Sequence, residues 1–148
     1  MNDYPNSATY ELAGFGNRLV AYVIDFIILA VIRFLIIILI TDDFLNSLAS
    51  VLLLNLILSG TYNWYFWTRQ AGQSPGKKAM NIRVIKADGS PITDVDALVR
   101  TLGYFVGEVT LFLGFVWAAF DANNQAWHDK MANTYVVLTE AQNKTITL

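Results

Sequence analysis

The feature that most constrains this chain is an apolar run over residues 19–40 that contains two charged side chains. A stretch of about 20 apolar residues matches the roughly 30 Å hydrocarbon core of a bilayer. A charged side chain near the centre of such a helix costs about 2.5–3.5 kcal/mol on insertion scales. Asp25 and Arg33 lie inside the run, and Arg18 directly precedes it. The run therefore predicts a membrane helix in which charged residues are kept for a reason.

Two further apolar segments, residues 48–67 and 98–120, extend this pattern. Hydrophobic residues make up 55% of the chain and charged residues 15%, a composition that soluble domains seldom have. We therefore expect an all-α membrane protein, a small helical bundle that forms one domain over residues 1–148. The first two apolar segments predict clear spans. The third contains Arg100, Glu108 and glycines, and it predicts either a span or a re-entrant helical segment.

The positive charges predict the orientation of the spans. The segment between the first two apolar runs carries Asp42 and Asp43 but no lysine or arginine, whereas residues 69–86 carry five basic side chains. The positive-inside rule places this basic segment in the cytoplasm. We therefore expect a multi-pass protein whose amino terminus is cytoplasmic.

The connector over residues 69–97 predicts a small cytoplasmic β-structure. Its Asp-Gly pair at positions 88 and 89 follows the β-branched run NIRVIK and is a strong hairpin signal, although Pro91 limits the second arm to an edge strand. An isolated hairpin is marginal in water, and residues 134–139 predict a strand that can join it. That pairing requires residues 98–120 to turn back rather than cross. We favour this arrangement, with a cytoplasmic carboxyl terminus, and keep a simple crossing as the alternative.

Three stretches of the sequence resemble one family. They read AGFGNRLVAYVIDFIIL, GQSPGKKAMNIRVIKADGSPI and FDANNQAWHDKMANTYVV, and in this order they resemble the bacterial RDD family, named for one arginine and two aspartates. The resemblance spans nearly the whole chain and carries the three named charges to Arg18, Asp25 and Asp129. Asn81 and Asn133 stand where glycine is common. The resemblance implies a location in the bacterial cytoplasmic (inner) membrane and transport of an unidentified ligand, with sodium/proton exchange proposed for some members.

The spacing of Arg18 and Asp25 permits a physical argument of its own. Seven residues of helix advance about 10 Å and return to within roughly 20° of the starting direction, so the two side chains share a face at different depths. In the functional interpretation, Asp25 exchanges a cation or proton while Arg18 and Asp129 set its field or gate access. In the structural alternative, a buried ion pair fixes helix packing. Candidate partners of Asp25 on other segments are Arg100, Asn55, Asn63, Ser59 and Thr61.

The remaining charged residues of the apolar segments and the tail also allow functional and structural interpretations. Glu108 completes an acidic site with Asp25, or faces water at the tip of a dipping hairpin. We expect Arg33, near the outer end of its helix, to extend to the membrane interface. His128 beside Asp129 does not predict catalysis, because adjacent residues do not face each other and no serine lies in a nucleophile-elbow pattern. We expect Asp129 to form an electrostatic latch with a nearby cation, for which the candidates are Arg18, Lys77 and Lys78.

These observations favour a transport component that acts as a homo-oligomer or with a partner membrane protein, because three short spans cannot enclose a pathway alone. The alternative is a non-transporting module that binds a partner protein or anionic lipid through residues 69–86. We expect membrane lipids as partners and no nucleic acid, since the net charge is only −2. We also expect no enzyme activity, no cofactor and no metal; the chain has no cysteine for thiolate chemistry.

Overall fold

The computed structural model describes residues 10–39, 47–110 and 113–139, without the side chains of residues 108 and 109. The described chain is mostly helical and contains one small sheet. Its elements in chain order are α1 (Phe15–Leu39), α2 (Leu48–Arg69), α3 (Pro75–Ala79), β1 (Ile82–Lys86), α4 (Asp94–Val109), α5 (Leu113–Val116), a 3-10 turn (Trp117–Ala119), α6 (Trp127–Met131) and β2 (Thr134–Leu138).

Among the described residues, α1 is the one helix that is both long and apolar enough to cross a membrane. Its most apolar window has a mean hydropathy of 2.7, and only 11% of that window is buried. A surface this apolar is unfavourable in water and favourable in hydrocarbon. The described part of the first apolar segment, residues 19–40, lies in α1, which has the exposure expected of a lipid-facing helix. The second segment, residues 48–67, lies in α2, which is not apolar enough to meet the same criterion, so the structure supports one of the two clear spans that the sequence predicts.

The third apolar segment, residues 98–120, does not form one long helix, and a bundle with a third continuous span is not what the described residues show. Helix α4 ends at Val109, and α5 with the 3-10 turn follows as separate short pieces. Two glycines in this segment allow close packing of its short helices. A Cβ added at Gly103 would lie 2.7 Å from Cβ of His128, and one at Gly114 would lie 2.9 Å from the Trp127 ring. These glycines therefore let α4 and α5 pack closely against α6.

The sheet consists of β1 and β2, which pair antiparallel from Ile82 opposite Leu138 to Lys86 opposite Thr134. A small sheet was expected, but the hairpin prediction is wrong, because the strand that pairs with β1 is β2 and not a second arm after the turn at Gly89. The turn at Gly89 forms, with φ of 79°, yet no strand follows it. Two physical reasons account for this. Pro91 has no N–H to donate, and the other edge of β1 is already used where the N–H of Val84 donates to the carbonyl of Gly72.

The pairing of β1 with β2 brings together two segments that are far apart in the sequence. The start of the chain joins them, since Ala13 N–H donates to the carbonyl of Val136 at 2.9 Å and Leu138 N–H donates to the carbonyl of Glu11 at 2.9 Å. Buried residues from the sheet, from α1, α2 and α4 and from the segments before α1 and α4 form the core beneath it. These residues are Ala13, Ala21, Trp67, Ile82, Val84, Ile92, Ala97 and Val136.

Two asparagines shape the ends of the strands. Asn81 precedes β1 and Asn133 precedes β2, and both have φ of 51°. This left-handed backbone region favours glycine, and asparagine is the residue that tolerates it next best. At both positions, asparagine therefore adopts the left-handed backbone conformation for which glycine is common.

Candidate functional site

A buried cluster of opposite charges joins three separate elements near the sheet. We call Arg18, Arg100, Asp129 and Thr134 the arginine–aspartate cluster. Oxygen Oδ1 of Asp129 accepts from Nη1 of Arg100 at 2.6 Å, and Oδ2 accepts from Nη2 of Arg18. The backbone N–H of Ala126 also donates to Oδ2 at 3.0 Å, which ties the carboxylate to the first turn of α6. The predicted latch between Asp129 and Arg18 is present in the structure, together with a second arginine.

Arg100 is fully buried and has more than one partner. Its Nη1 also contacts Oγ1 of Thr134, and its guanidinium carbon lies 4.7 Å from the centroid of the Trp67 ring. A cation over an indole face is stabilised by the ring quadrupole, most strongly when water is excluded. Arg100 therefore pairs with Asp129 rather than with Asp25.

Two titratable residues of α6, His128 and Asp129, have strongly shifted pKa values. Burial lowers the pKa of His128 from 6.5 to about 3, although Asp129 opposes the shift. Its imidazole is therefore neutral at neutral pH, and it stacks on Tyr104 with ring centroids 4.0 Å apart. Burial alone raises the pKa of Asp129, but His128, Arg18 and Arg100 outweigh burial and hold it well below its usual range. Since His128 is neutral at neutral pH, the two arginines are what keep Asp129 ionised.

Asp25 has a separate set of partners. Its Oδ1 accepts from the Tyr62 hydroxyl at 2.8 Å and from the Gly76 backbone N–H at 2.8 Å, and its Oδ2 accepts from the Ser74 hydroxyl. The residue is buried, with 7% of its surface exposed. Asp25 therefore binds α2 and the start of α3 through these three donors, none of which was among its expected partners.

The local sequence explains why α3 meets Asp25. Ser74 is the N-cap of α3, and Pro75 follows it at the start of the helix, where a missing N–H costs nothing. Gly76 comes next, and a Cβ there would lie 2.1 Å from the carbonyl oxygen of Ala21 on α1. Only glycine lets α3 approach the backbone of α1 this closely. The Ser-Pro-Gly triplet is thus the sequence signal for the Asp25 partners, and our sequence analysis missed it.

Lys77 follows Gly76 and is buried next to Asp25, with 7% exposure. Burial lowers the pKa of Lys77 from 10.5 to about 8, while the negative charge of Asp25 opposes that shift. Its Nζ lies 5.8 Å from the centroid of the Trp67 ring. The neighbouring Lys78 is exposed. The other charged groups that act on Lys77 are Arg18 of α1, Arg100 of α4 and Asp129 of α6.

A cavity of about 210 Å³ lies between α1, α2 and α4, and both Asp25 and Lys77 line it. Asn55, Ser59, Asn63 and Thr101 supply neutral polar groups, and Phe26, Leu29, Leu56 and Phe105 supply apolar walls. Arg33 also lines it, and its Nε is buried. A concave site with mostly apolar walls and a few converging polar groups is typical of ligand binding.

The structure sorts the sequence candidates into two groups. Arg18, Arg100, His128 and Asp129 belong to or contact the arginine–aspartate cluster, whereas Asp25 and Asn55 line the cavity. Glu108 lies in α4, but its side chain is outside the described part of the chain. Arg18 and Asp25 are therefore not a pair, although they share one helix.

Comparison with known proteins identifies the family of this chain. The family model of the RDD family matches residues 12–133. A protein of Bacillus subtilis (strain 168), "Uncharacterized protein YckC", is 34% identical over 137 residues, which cover 86% of this chain and 85% of that protein. "Proline-rich antigen homolog" of Mycobacterium tuberculosis (strain CDC 1551 / Oshkosh) is 32% identical over 77 residues, 50% of this chain but only 32% of that protein's length. No solved structure matches the chain at a significant level. The chain belongs to the RDD family, a family of membrane-associated domains.

Proposed function

We propose that this protein is a multi-pass component of the bacterial cytoplasmic membrane that exchanges a cation for a proton at Asp25 and Lys77. The observation that carries the proposal is the cavity between α1, α2 and α4, which holds a buried carboxylate and a buried amine side by side. Ionisable groups within a membrane domain are expensive and commonly mark an ion path. Sequence reasoning pointed to Asp25, and Lys77 is the partner that the cavity adds.

The chemistry follows from charge balance in the cavity. When Lys77 carries its proton, its ammonium group offsets the Asp25 carboxylate. When Lys77 releases the proton, the carboxylate loses this counter-charge and attracts a small cation in its place. Because burial brings the pKa of Lys77 to about 8, the proton can leave near physiological pH. Three fixed donors hold the carboxyl group of Asp25 in place in the cavity during this exchange.

Orientation and copy number are part of the proposal. The basic connector predicts that the sheet and α3 lie at the cytoplasmic side, so that the amino terminus and β2 are cytoplasmic as well. The long helices α1 and α2 have extensive apolar faces, and α4 is too short to complete a closed pathway with them. We therefore propose that copies of this chain, or this chain with a partner membrane protein, enclose the path in the lipid bilayer.

The test is a flux measurement in sealed vesicles that contain only this protein. A pH gradient is imposed, sodium chloride or choline chloride is added, and the internal pH is followed with a trapped dye. Exchange predicts that sodium dissipates the gradient at least tenfold faster than choline does. The variants Asp25→Asn and Lys77→Gln should abolish that difference. Lys78→Gln, the same change at the exposed neighbour, should leave it intact.

Two results would contradict the proposal. Folded, oligomeric wild-type protein that shows no cation-dependent flux would favour a non-transporting membrane module, which binds an acidic partner or anionic lipid through exposed cations such as Lys78 and Lys130. Loss of folding in Asp25→Asn with normal flux in Lys77→Gln would instead show that the Asp25 contacts serve packing alone.

A further inference from the structure

Arg33 is a charged residue of the cavity that the exchange mechanism does not use. It lies eight residues beyond Asp25 on α1, about 12 Å further along the helix. Asn55 of α2 lines the same cavity, while Tyr62, seven residues later, contacts Asp25. Because α1 and α2 run in opposite directions at this contact, Asn55 lies toward the Arg33 end. The cavity thus has one end at Asp25 and Lys77 and another at Arg33.

The charge of Arg33 is not compensated in the described part of the chain. No described carboxylate lies within ion-pair distance of Arg33, and its Nε is buried without a hydrogen-bond partner. Asp25 already accepts from three donors and lies beside Lys77. A guanidinium in an apolar helix with an unpaired buried donor is unfavourable unless something supplies a negative charge. Arg33 is therefore the group in this cavity that calls for an anionic partner.

The other walls limit what that partner can be. A volume of about 210 Å³ corresponds to about seven water molecules at roughly 30 Å³ each, so the ligand is small. Phe26, Leu29, Leu56 and Phe105 offer apolar contact, and Asn55 and Thr101 offer polar contact. A planar carboxylate matches the fork of a guanidinium group in geometry as well as in charge.

We propose that the Arg33 end of the cavity is a subsite for a small monocarboxylate with an apolar or aromatic body. The inference rests on the proposed function in that it names the solute that shares the cavity with the exchanging cation. Arg33 binds the carboxylate, and the apolar walls enclose the body of the solute. Cation exchange at the other end would then be coupled to an organic anion.

Equilibrium binding to the purified full chain in detergent tests this inference. Three probes of nearly equal size and different charge are titrated by calorimetry, namely benzoate, benzyl alcohol and benzylamine. We expect benzoate to bind at least tenfold more tightly than benzyl alcohol, and benzylamine not to bind measurably. This comparison uses the unmodified protein and stays decisive even if a variant fails to fold.

Substitution then assigns the charge preference to Arg33. Arg33→Gln should lower benzoate affinity at least tenfold, to the level of benzyl alcohol, and Arg33→Lys should retain part of it. Arg69→Gln is the matched control, because Arg69 is an exposed arginine of α2 outside the cavity. It should leave benzoate binding unchanged.

Three outcomes overturn the inference. These are equal affinity for benzoate and benzyl alcohol, unchanged benzoate affinity in folded Arg33→Gln, and co-purified phosphatidylglycerol that benzoate cannot displace, as detected by mass spectrometry. Because calorimetry in detergent involves no flux, benzoate binding can fail while exchange is present. Exchange can likewise fail while benzoate still binds, so the two proposals are tested separately.

Discussion

Arg18 and Asp129 are 111 positions apart in the chain and form a buried ion pair, with side-chain exposures of 4% and 0%. The pair joins the first turns of α1 to the short helix α6, and Arg100 brings α4 to the same carboxylate. One negative charge thus holds two arginines from different helices. The arrangement makes the start of α1 depend on β2, because β2 directly follows α6.

Removal of that charge should destabilise the fold more than any exposed charge does. Asp129→Asn keeps the shape of the side chain but leaves two buried guanidinium groups without a carboxylate. Breaking a buried pair typically costs about 3–5 kcal/mol, so the unfolding midpoint in detergent should fall strongly. Asp94→Asn, at an exposed carboxylate that pairs with Arg69, should stay close to wild type. Equal losses in the two variants would contradict the role given to the cluster.

Glycine at position 76 should be indispensable. Gly76→Ala places a Cβ 2.1 Å from the carbonyl oxygen of Ala21 and 3.0 Å from Cγ of Asp25, so α3 must shift and the contacts of Asp25 must break. We expect a lowered unfolding midpoint and the loss of flux. Gly16→Ala is the control, since a Cβ at that position meets nothing within 4 Å. In a helix that change should be neutral or stabilise by up to about 1 kcal/mol. A wild-type midpoint for Gly76→Ala would show that α3 does not pack as described.

His128 should make the protein sensitive to mild acid. Its pKa is depressed from 6.5 to about 3 by burial, so the unfolded chain binds this proton more readily than the folded chain. The stability due to neutral His128 is complete above about pH 6.5 and is lost as the pH falls toward 3, a total on the order of a few kcal/mol.

Unfolding midpoints measured between pH 7 and pH 4 should show this slope in wild type. His128→Phe keeps a ring against Tyr104 and should remove most of the slope in that interval. Acid unfolding below about pH 3.8 should persist in the variant, because the depressed pKa of Asp129 contributes stability that is lost only in that lower range. An identical slope in both proteins between pH 7 and pH 4 would contradict burial of a neutral imidazole.

Lys77 should affect the stability of the fold at alkaline pH, whereas His128 affects it at acidic pH. Its pKa is lowered from 10.5 to about 8, so the folded chain holds this proton less tightly than the unfolded chain does. The stability linked to neutral Lys77 is fully present above about pH 10.5 and is lost as the pH falls toward 8. Unfolding midpoints across that interval should therefore rise with pH by a component that Lys77→Met removes and Lys78→Met retains. If both variants behave alike, Lys77 is not the perturbed lysine.

The turn at Asn133 provides a backbone test. This residue is exposed and has φ of 51°, so the cost of a substitution comes from the backbone rather than from packing. Asn133→Gly should leave the unfolding midpoint near wild type, because both residues tolerate the left-handed region. Asn133→Val should lower it, because this conformation costs a β-branched residue about 1–2 kcal/mol. Circular dichroism during thermal unfolding measures both. Equal midpoints for the glycine and valine variants would contradict the turn.

Much of this protein follows from sequence pattern alone. Residues 19–40 are apolar over a length that matches a bilayer, and that property does not depend on any distant contact. The resemblance to the RDD family also singled out Asp129, and the few basic residues of the chain limited its possible partners. The Asp-Gly pair likewise marked a turn, but it could not tell whether a strand would follow.

The contacts of Asp25, the cavity and the role of Lys77 were decided by tertiary structure. Asp25 is bound by groups 37 to 51 positions away, and which donors reach it depends on how closely Gly76 lets α3 approach α1. Local secondary-structure propensity depends only on residues that are close in the sequence, so it cannot predict these contacts. The sequence by itself determined where a membrane helix forms and which charges it carries. Only packing decided which charges meet, because the attraction within a buried ion pair offsets the loss of hydration solely where the geometry is close and further hydrogen bonds are made.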